Sequence, residues 1–171
     1  MIVLGFDPGT ATTGFGVVRY EKGKLFPIDV GVLLTRPETP MSERLLSIYN
    51  DVNTLLDQFQ PDAVAMEKLF FDKNVTNGLT VGRAIGVVQL AAAQRELPWF
   101  EYTPMQVKQS VTGYGGADKQ QIQAMVVRLL GLKETPKPDD AADALAVAIC
   151  HAHSFTMQAA GVTRSRGHRR G

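Results

Sequence analysis

The chain has 171 residues, 44% of them hydrophobic and 20% charged, the balance of one globular domain able to bury a real core. A single cysteine, Cys150, excludes an internal disulfide and fits a reducing cytoplasm. Net charge is +1, but the last eight residues, RSRGHRRG, hold four arginines, which leaves 14 basic against 17 acidic groups, a net of −3, on the other 163. A negative body with a basic tail can hold a polyanion near an acidic site, although a solvated terminus has the same composition.

In chain order, MIVLGFD is an unbroken apolar run ending on a carboxylate, the pattern of a strand buried on both faces rather than of a leader. PGTATTG is a turn. FGVVRYEKGKLFPIDVGVLLT reads as two strands joined at Glu21–Lys24, where Gly23 favours a hairpin. Met41, Leu45, Ile48, Val52, Leu55, Leu56 and Phe59 follow helical spacing, which predicts a helix over 41–59. Pro61 ends it, and DAVAMEK is a short strand that again finishes on an acid, Glu67. A long helix is expected over 75–95. Its most apolar part, Val81 to Ala93, is interrupted by Arg83 and Gln89 and is too short to span a membrane. A strand at PWFEY, short helices after Thr103 and Asp118 and a last helix from about Asp139 complete the chain.

The order β-β-β-α-β-α-β-α-α predicts an α/β domain with a mixed sheet. Residues 1–155 form that domain, and 156–171 are expected to be a flexible basic tail. Gly78, Gly82 and Gly86 recur every fourth residue, each costing about 1 kcal/mol against alanine in a helix. Their smooth stripe admits either the sheet or a second subunit.

The acids carry the chemistry. Asp7 and Glu67 end apolar strands, and such ends, when parallel and adjacent, form the rim where α/β sheets place ligands. Asp140 and Asp143 are three apart on one helix face, with Leu145 and Ile149 on another. Four converging carboxylates need partners, because desolvating one unpaired ion costs several kcal/mol. Lys68, Lys108 and Lys119 are too few to supply them with certainty. Oxygen donors without His or Cys suit Mg²⁺ or Mn²⁺, and two such ions about 3.5–4 Å apart form the clamp for phosphodiester displacement. Plainer roles exist for each: Asp139 as a helix N-cap, Asp140 as a partner of the helix dipole, Asp7 as a turn former. His151 and His153 read as C-terminal caps rather than metal ligands.

GFDPGTATTGFGVV, AMEKLFF, TPMQVKQSVTGYGGADKQQIQAMV and PDDAADALAVAICHAH, in that order, resemble the bacterial RuvC Holliday-junction resolvases over nearly the whole chain. The resemblance implies a ribonuclease H-like fold, a homodimer, two Mg²⁺ per site (Mn²⁺ substituting), and symmetric nicking of four-way DNA junctions beside the RuvA–RuvB machinery. It places the catalytic acids on Asp7, Glu67, Asp140 and Asp143. It places DNA contacts on Lys108, Lys119 and Phe70, with Lys68, Lys73 and Arg83 as further candidates, and it turns the glycine stripe toward a dimer interface. Lys119 would neutralise charge at the scissile phosphate. Two rivals are weighed beside it. GFDPGTATTG also looks like the phosphate loop of actin-like ATPases, which need a second lobe. A non-catalytic junction binder would have no use for four intact carboxylates.

Overall fold

The computed structural model describes the backbone of residues 1–68 and 75–167, and the side chains of 1–68 and 78–155. Five strands form one mixed sheet in the order β3-β2-β1-β4-β5. The strands are β1 (Ile2–Asp7), β2 (Thr12–Glu21), β3 (Lys24–Leu34), β4 (Ala63–Glu67) and β5 (Trp99–Tyr102). The helices are α1 (Met41–Phe59), α2 (Val75–Ala93), α3 (Pro104–Thr112), α4 (Lys119–Leu130) and α5 (Asp139–Gly167). The predicted elements are all present, including the three helices after β5 that start near Thr103, Asp118 and Asp139.

Local chemistry explains the boundaries. Lys22 and Gly23 both take positive φ, the requirement of a two-residue hairpin turn. Thr103 and Asp118 each cap a helix through a reciprocal box with the glutamine three residues on. Gly113 and Gly131 end α3 and α4 in the left-handed conformation.

Strand alternation sorts the side chains into two layers. Leu4, Phe6, Val17, Val64 and Met66 face α1 and α2, where Ile48, Val52, Ala84 and Val88 meet them. Val3, Val18 and Ala65 face the other way, against Leu145, Ala148 and Ile149 of α5, and α3 and α4 pack outside through Val107, Val111, Val126 and Leu130. β3 is an outer edge strand, with a bulge opposite it at Val17/Val18 and the Arg19 guanidinium 5.2 Å above the Phe26 ring. Among the described residues no helix is long and apolar enough to cross a membrane.

α5 carries one departure from the sequence reading. It continues to Gly167, so His151 and His153 sit within a helix instead of capping its end. His151 is buried, shares a 2.8 Å hydrogen bond between its Nδ1 and the Tyr102 hydroxyl, and stacks on Phe100. His153 Nδ1 lies 3.0 Å from the Ser110 carbonyl. For Gly82 and Gly86, whose stripe admitted either the sheet or a second subunit, an added Cβ would meet nothing within 4 Å, so neither faces the sheet.

Candidate active site

β1 and β4 are parallel neighbours with Phe6 beside Met66, so Asp7 and Glu67 leave the sheet together at one rim. Even steps along each strand keep Asp7 on the face of Val3 and Glu67 on the face of Ala65, the face covered by α5. α5 begins over this rim and brings Asp140 and Asp143 in its opening turns. The turn after β1 is pinned from several sides. Thr13 Oγ1 donates to the Gly9 carbonyl at 2.5 Å, the Thr35 hydroxyl donates to the Thr10 carbonyl, and Arg44 Nε donates to Thr35 Oγ1 at 2.8 Å. Arg44 is a buried charge on the apolar stripe of α1, and no local signal in the sequence marks it as the brace of this turn.

All four carboxylates are half-buried, and they feel one another. Burial pushes the Asp7 carboxyl from 3.8 up to about 7, and the negative charges of Asp143, Asp140 and Glu67 push the same way. Glu67 is raised by burial and then by Asp143, while Lys108 pulls it back. Asp143 is raised by burial against the pull of Lys119. The four therefore stand within electrostatic reach, although among the described residues no three His, Cys, Asp or Glu are grouped tightly enough to hold an ion as placed. The donor set is all oxygen, and its raised carboxyl pKa values mark a place where added positive charge is favourable. Both properties fit hard divalent cations.

Two expected lysines flank the acids. Lys108 on α3 is close enough to influence Glu67. Lys119, the first residue of α4, places Nζ 3.1 Å from Asp139 Oδ2 and 3.2 Å from Asp143 Oδ2. Asp139 is therefore not the N-cap that the sequence suggests. It is the first residue of α5, and its carboxylate also accepts from Gln123 Nε2 at 3.1 Å, which ties the opening turn of α5 to α4. That role depends on two helices meeting, so spacing within one helix does not reveal it.

Lys68 follows Glu67 directly and is exposed, its backbone N–H donating to the Tyr102 carbonyl at 2.7 Å. Arg83 is exposed on α2, in the layer opposite α5, and is not brought to the carboxylates. Phe70 and Lys73 lie outside the described residues. A cleft of about 710 Å³ between α3 and α5, lined by Tyr102, Met105, Gln109 and His153 among others, contains none of the four acids.

The model of the family described as RuvC, crossover junction endodeoxyribonuclease, matches residues 3–151. The chain belongs to the RuvC family. It is 57% identical over 157 residues to the RuvC protein of Desulfitobacterium hafniense, covering 92% of this chain and 95% of that one. It is 55% identical over 164 residues to RuvC of Chloroflexus aggregans, covering 95% of this chain and 100% of that one. Thermus thermophilus RuvC, solved in complex with Holliday junction substrate, superposes with a TM-score of 0.89 at 41% identity, covering 92% of this chain and 96% of that one. Membership makes the chain a RuvC-type crossover junction endodeoxyribonuclease, one of a family of metal-dependent nucleases with the ribonuclease H-like α/β fold.

Proposed function

We propose that this RuvC-family chain resolves four-way DNA junctions by paired nicks in opposing strands, at the rim built by Asp7, Glu67, Asp140 and Asp143. The observation that carries the reading is the charge-frustrated cluster itself. Burial, reinforced by the charges of Asp143, Asp140 and Glu67, pushes Asp7 up to about 7, and among the described residues Lys119 and Lys108 pull the other way on Asp7 and Glu67. Two Mg²⁺ ions, or Mn²⁺ in their place, would be held by these four residues. When bound, such ions polarise the scissile phosphate and lower the pKa of an attacking water.

The chain's own residues supply the rest. Lys119 faces both Asp139 and Asp143. Asp139 would hold the Lys119 ammonium in place, where it could offset negative charge developing on the scissile phosphate. Lys108 holds the strand near Glu67. Lys68, Lys73 and Arg83 add phosphate contacts, and Phe70 stacks on a base, an interaction worth about 1–3 kcal/mol. The products are a 5′-phosphate and a 3′-hydroxyl.

A homodimer would set two such sites on opposite strands through two-fold symmetry. Its contact would be the outward stripe of α2, where Leu79 and Leu90 are 58% and 54% exposed beside the open Gly82 and Gly86. Residues 156–171 would act as a basic arm on the 1–155 domain. The setting would be the cytoplasm, with the RuvA–RuvB complex delivering the junction.

A synthetic four-way junction and a linear duplex of the same sequence test the reading in Mg²⁺, Ca²⁺ and EDTA. Paired nicks in the junction with Mg²⁺ alone are expected. Equal cutting of the duplex, or cutting in EDTA, would overturn it. Lys119→Ala in the same assay should slow nicking about a hundredfold. It should leave junction binding in Ca²⁺ within a few fold, since one phosphate contact among many is lost.

A further inference from the structure

Gly14 pairs with Asp7 across the β1–β2 ladder and lies directly beneath the first turn of α5. A Cβ built on it would fall inside 3.0 Å of both the carbonyl oxygen and the carbonyl carbon of Asp140, and 3.1 Å from the Asp140 Cβ. Main-chain atoms of a helix cannot rotate aside as a side chain can. Any larger residue at 14 must therefore lift the start of α5 off the sheet. The strand-borne acids stay behind when it does, because Asp7 is held in the β1 ladder and Glu67 in the β4 ladder.

Resting on the reading of the four carboxylates as one cation-binding set, we propose that Gly14 is a positioning residue that sets the gap between its two halves. Asp7 and Glu67 form the lower half, and Asp140 and Asp143 the upper. The absent side chain lets backbone rest on backbone, so the height of Asp140 above Asp7 is fixed without a flexible spacer. Hard cations make the position exacting. Mg²⁺ requires near-ideal octahedral geometry with oxygens at about 2.0–2.1 Å, so a displacement of about 1 Å in half of its ligands is outside its tolerance. Misplacement of about 1 Å in an active site can lower a rate roughly a hundredfold. Two neighbouring glycines grade the effect. Gly16, on the same face of β2, would press a Cβ to 2.8 Å from Leu145 N and from its mobile Cδ2, a milder conflict one turn further along α5. Gly31, on β3, would meet only the Phe15 ring at 2.9 Å, in the opposite layer.

The test is a Mg²⁺ titration of junction nicking by Gly14→Ala, Gly16→Ala and Gly31→Ala, with junction binding measured in Ca²⁺ and thermal unfolding in EDTA. For Gly14→Ala, half-saturating Mg²⁺ should rise tenfold or more and kcat should fall about a hundredfold. Junction affinity should hold, and Mn²⁺ should restore a larger share of activity than it does in wild type. Gly16→Ala should show the same pattern to a smaller degree, and Gly31→Ala should change stability alone. A role limited to packing would lower the active fraction and leave the half-saturating Mg²⁺ where it was. That outcome in folded Gly14→Ala overturns the inference, and if Gly14→Ala does not fold, the same outcome in Gly16→Ala does so. Asp7→Asn and Asp140→Asn run alongside separate the two levels. If they cut like wild type, the carboxylate set itself is wrong; if they are inactive while Gly14→Ala titrates normally, only the positioning role fails.

Discussion

Replacing Asp7 with asparagine is expected to slow junction nicking by a thousandfold or more while leaving junction binding intact. Cation stabilisation of a phosphoryl transition state contributes several kcal/mol, and each 1.36 kcal/mol is a factor of about ten in rate. Asp7 stands where all the charges meet, feeling Asp143, Asp140, Glu67 and Lys119 together. Its amide keeps the volume and a carbonyl acceptor but not the charge that holds an ion. The DNA contacts proposed for the lysines and the basic arm do not involve Asp7, so binding measured in Ca²⁺ should stay within a few fold. Single-turnover cleavage in Mg²⁺ near the wild-type rate would remove Asp7 from the chemistry. The same substitution should raise the stability of the metal-free protein at pH 8, because it removes a buried charge in a field of like charges.

Without divalent ions, the protein should lose stability as pH rises from 5 to 8. In the unfolded chain Asp7 ionises near its ordinary value of 3.8, whereas in the fold it keeps its proton until about 7. The folded state thus binds the extra proton. The stability this provides is full below the unfolded pKa and is lost as pH passes through the folded one. A pKa of about 7 makes the loss between pH 5 and 8 roughly 2–3 kcal/mol, at 1.36 kcal/mol per unit. Glu67 and Asp143 are shifted in the same direction and steepen the loss. Chemical denaturation in EDTA at a series of pH values reads this directly, and a flat profile would refute the buried, repelled state of Asp7. Saturating Mg²⁺ should cancel the effect, since the ion replaces the proton. Calorimetric titration in buffers of different ionisation enthalpy should show proton release on Mg²⁺ binding near pH 7.

The elements were readable because each announces itself within a few residues. The β2–β3 hairpin has its Gly23 turn, α1 has its apolar stripe, and α3 and α4 have their capping boxes. The four acids were readable for the same reason, each standing at the end of an apolar segment. What stayed hidden depends on elements distant in sequence. Asp139 looked like a cap because its partner, Lys119, is twenty residues away on another helix. His151 and His153 looked terminal because the polar composition after residue 153 resembles a frayed end, yet α5 runs on to Gly167. The direction of Gly82 and Gly86 could not be read from spacing, since a four-residue repeat fixes a stripe on a helix but not which neighbour it meets. Phe70 and Lys73 lie outside the described residues and stand as proposals.

The edge strand β3 has a bearing on how the protein survives at high concentration. Eleven residues long, with Phe26 and Ile28 partly open to water, it offers another chain a row of free backbone groups to add to. Three features blunt that invitation. Pro27 has no N–H to donate, the bulge at Val17/Val18 twists the ribbon, and Arg19 lies over the Phe26 ring. Strand-to-strand growth into aggregates is thereby discouraged on the long side of the sheet. The proposed pairing through α2 uses a helix surface instead, where contacts can close into a pair rather than propagate.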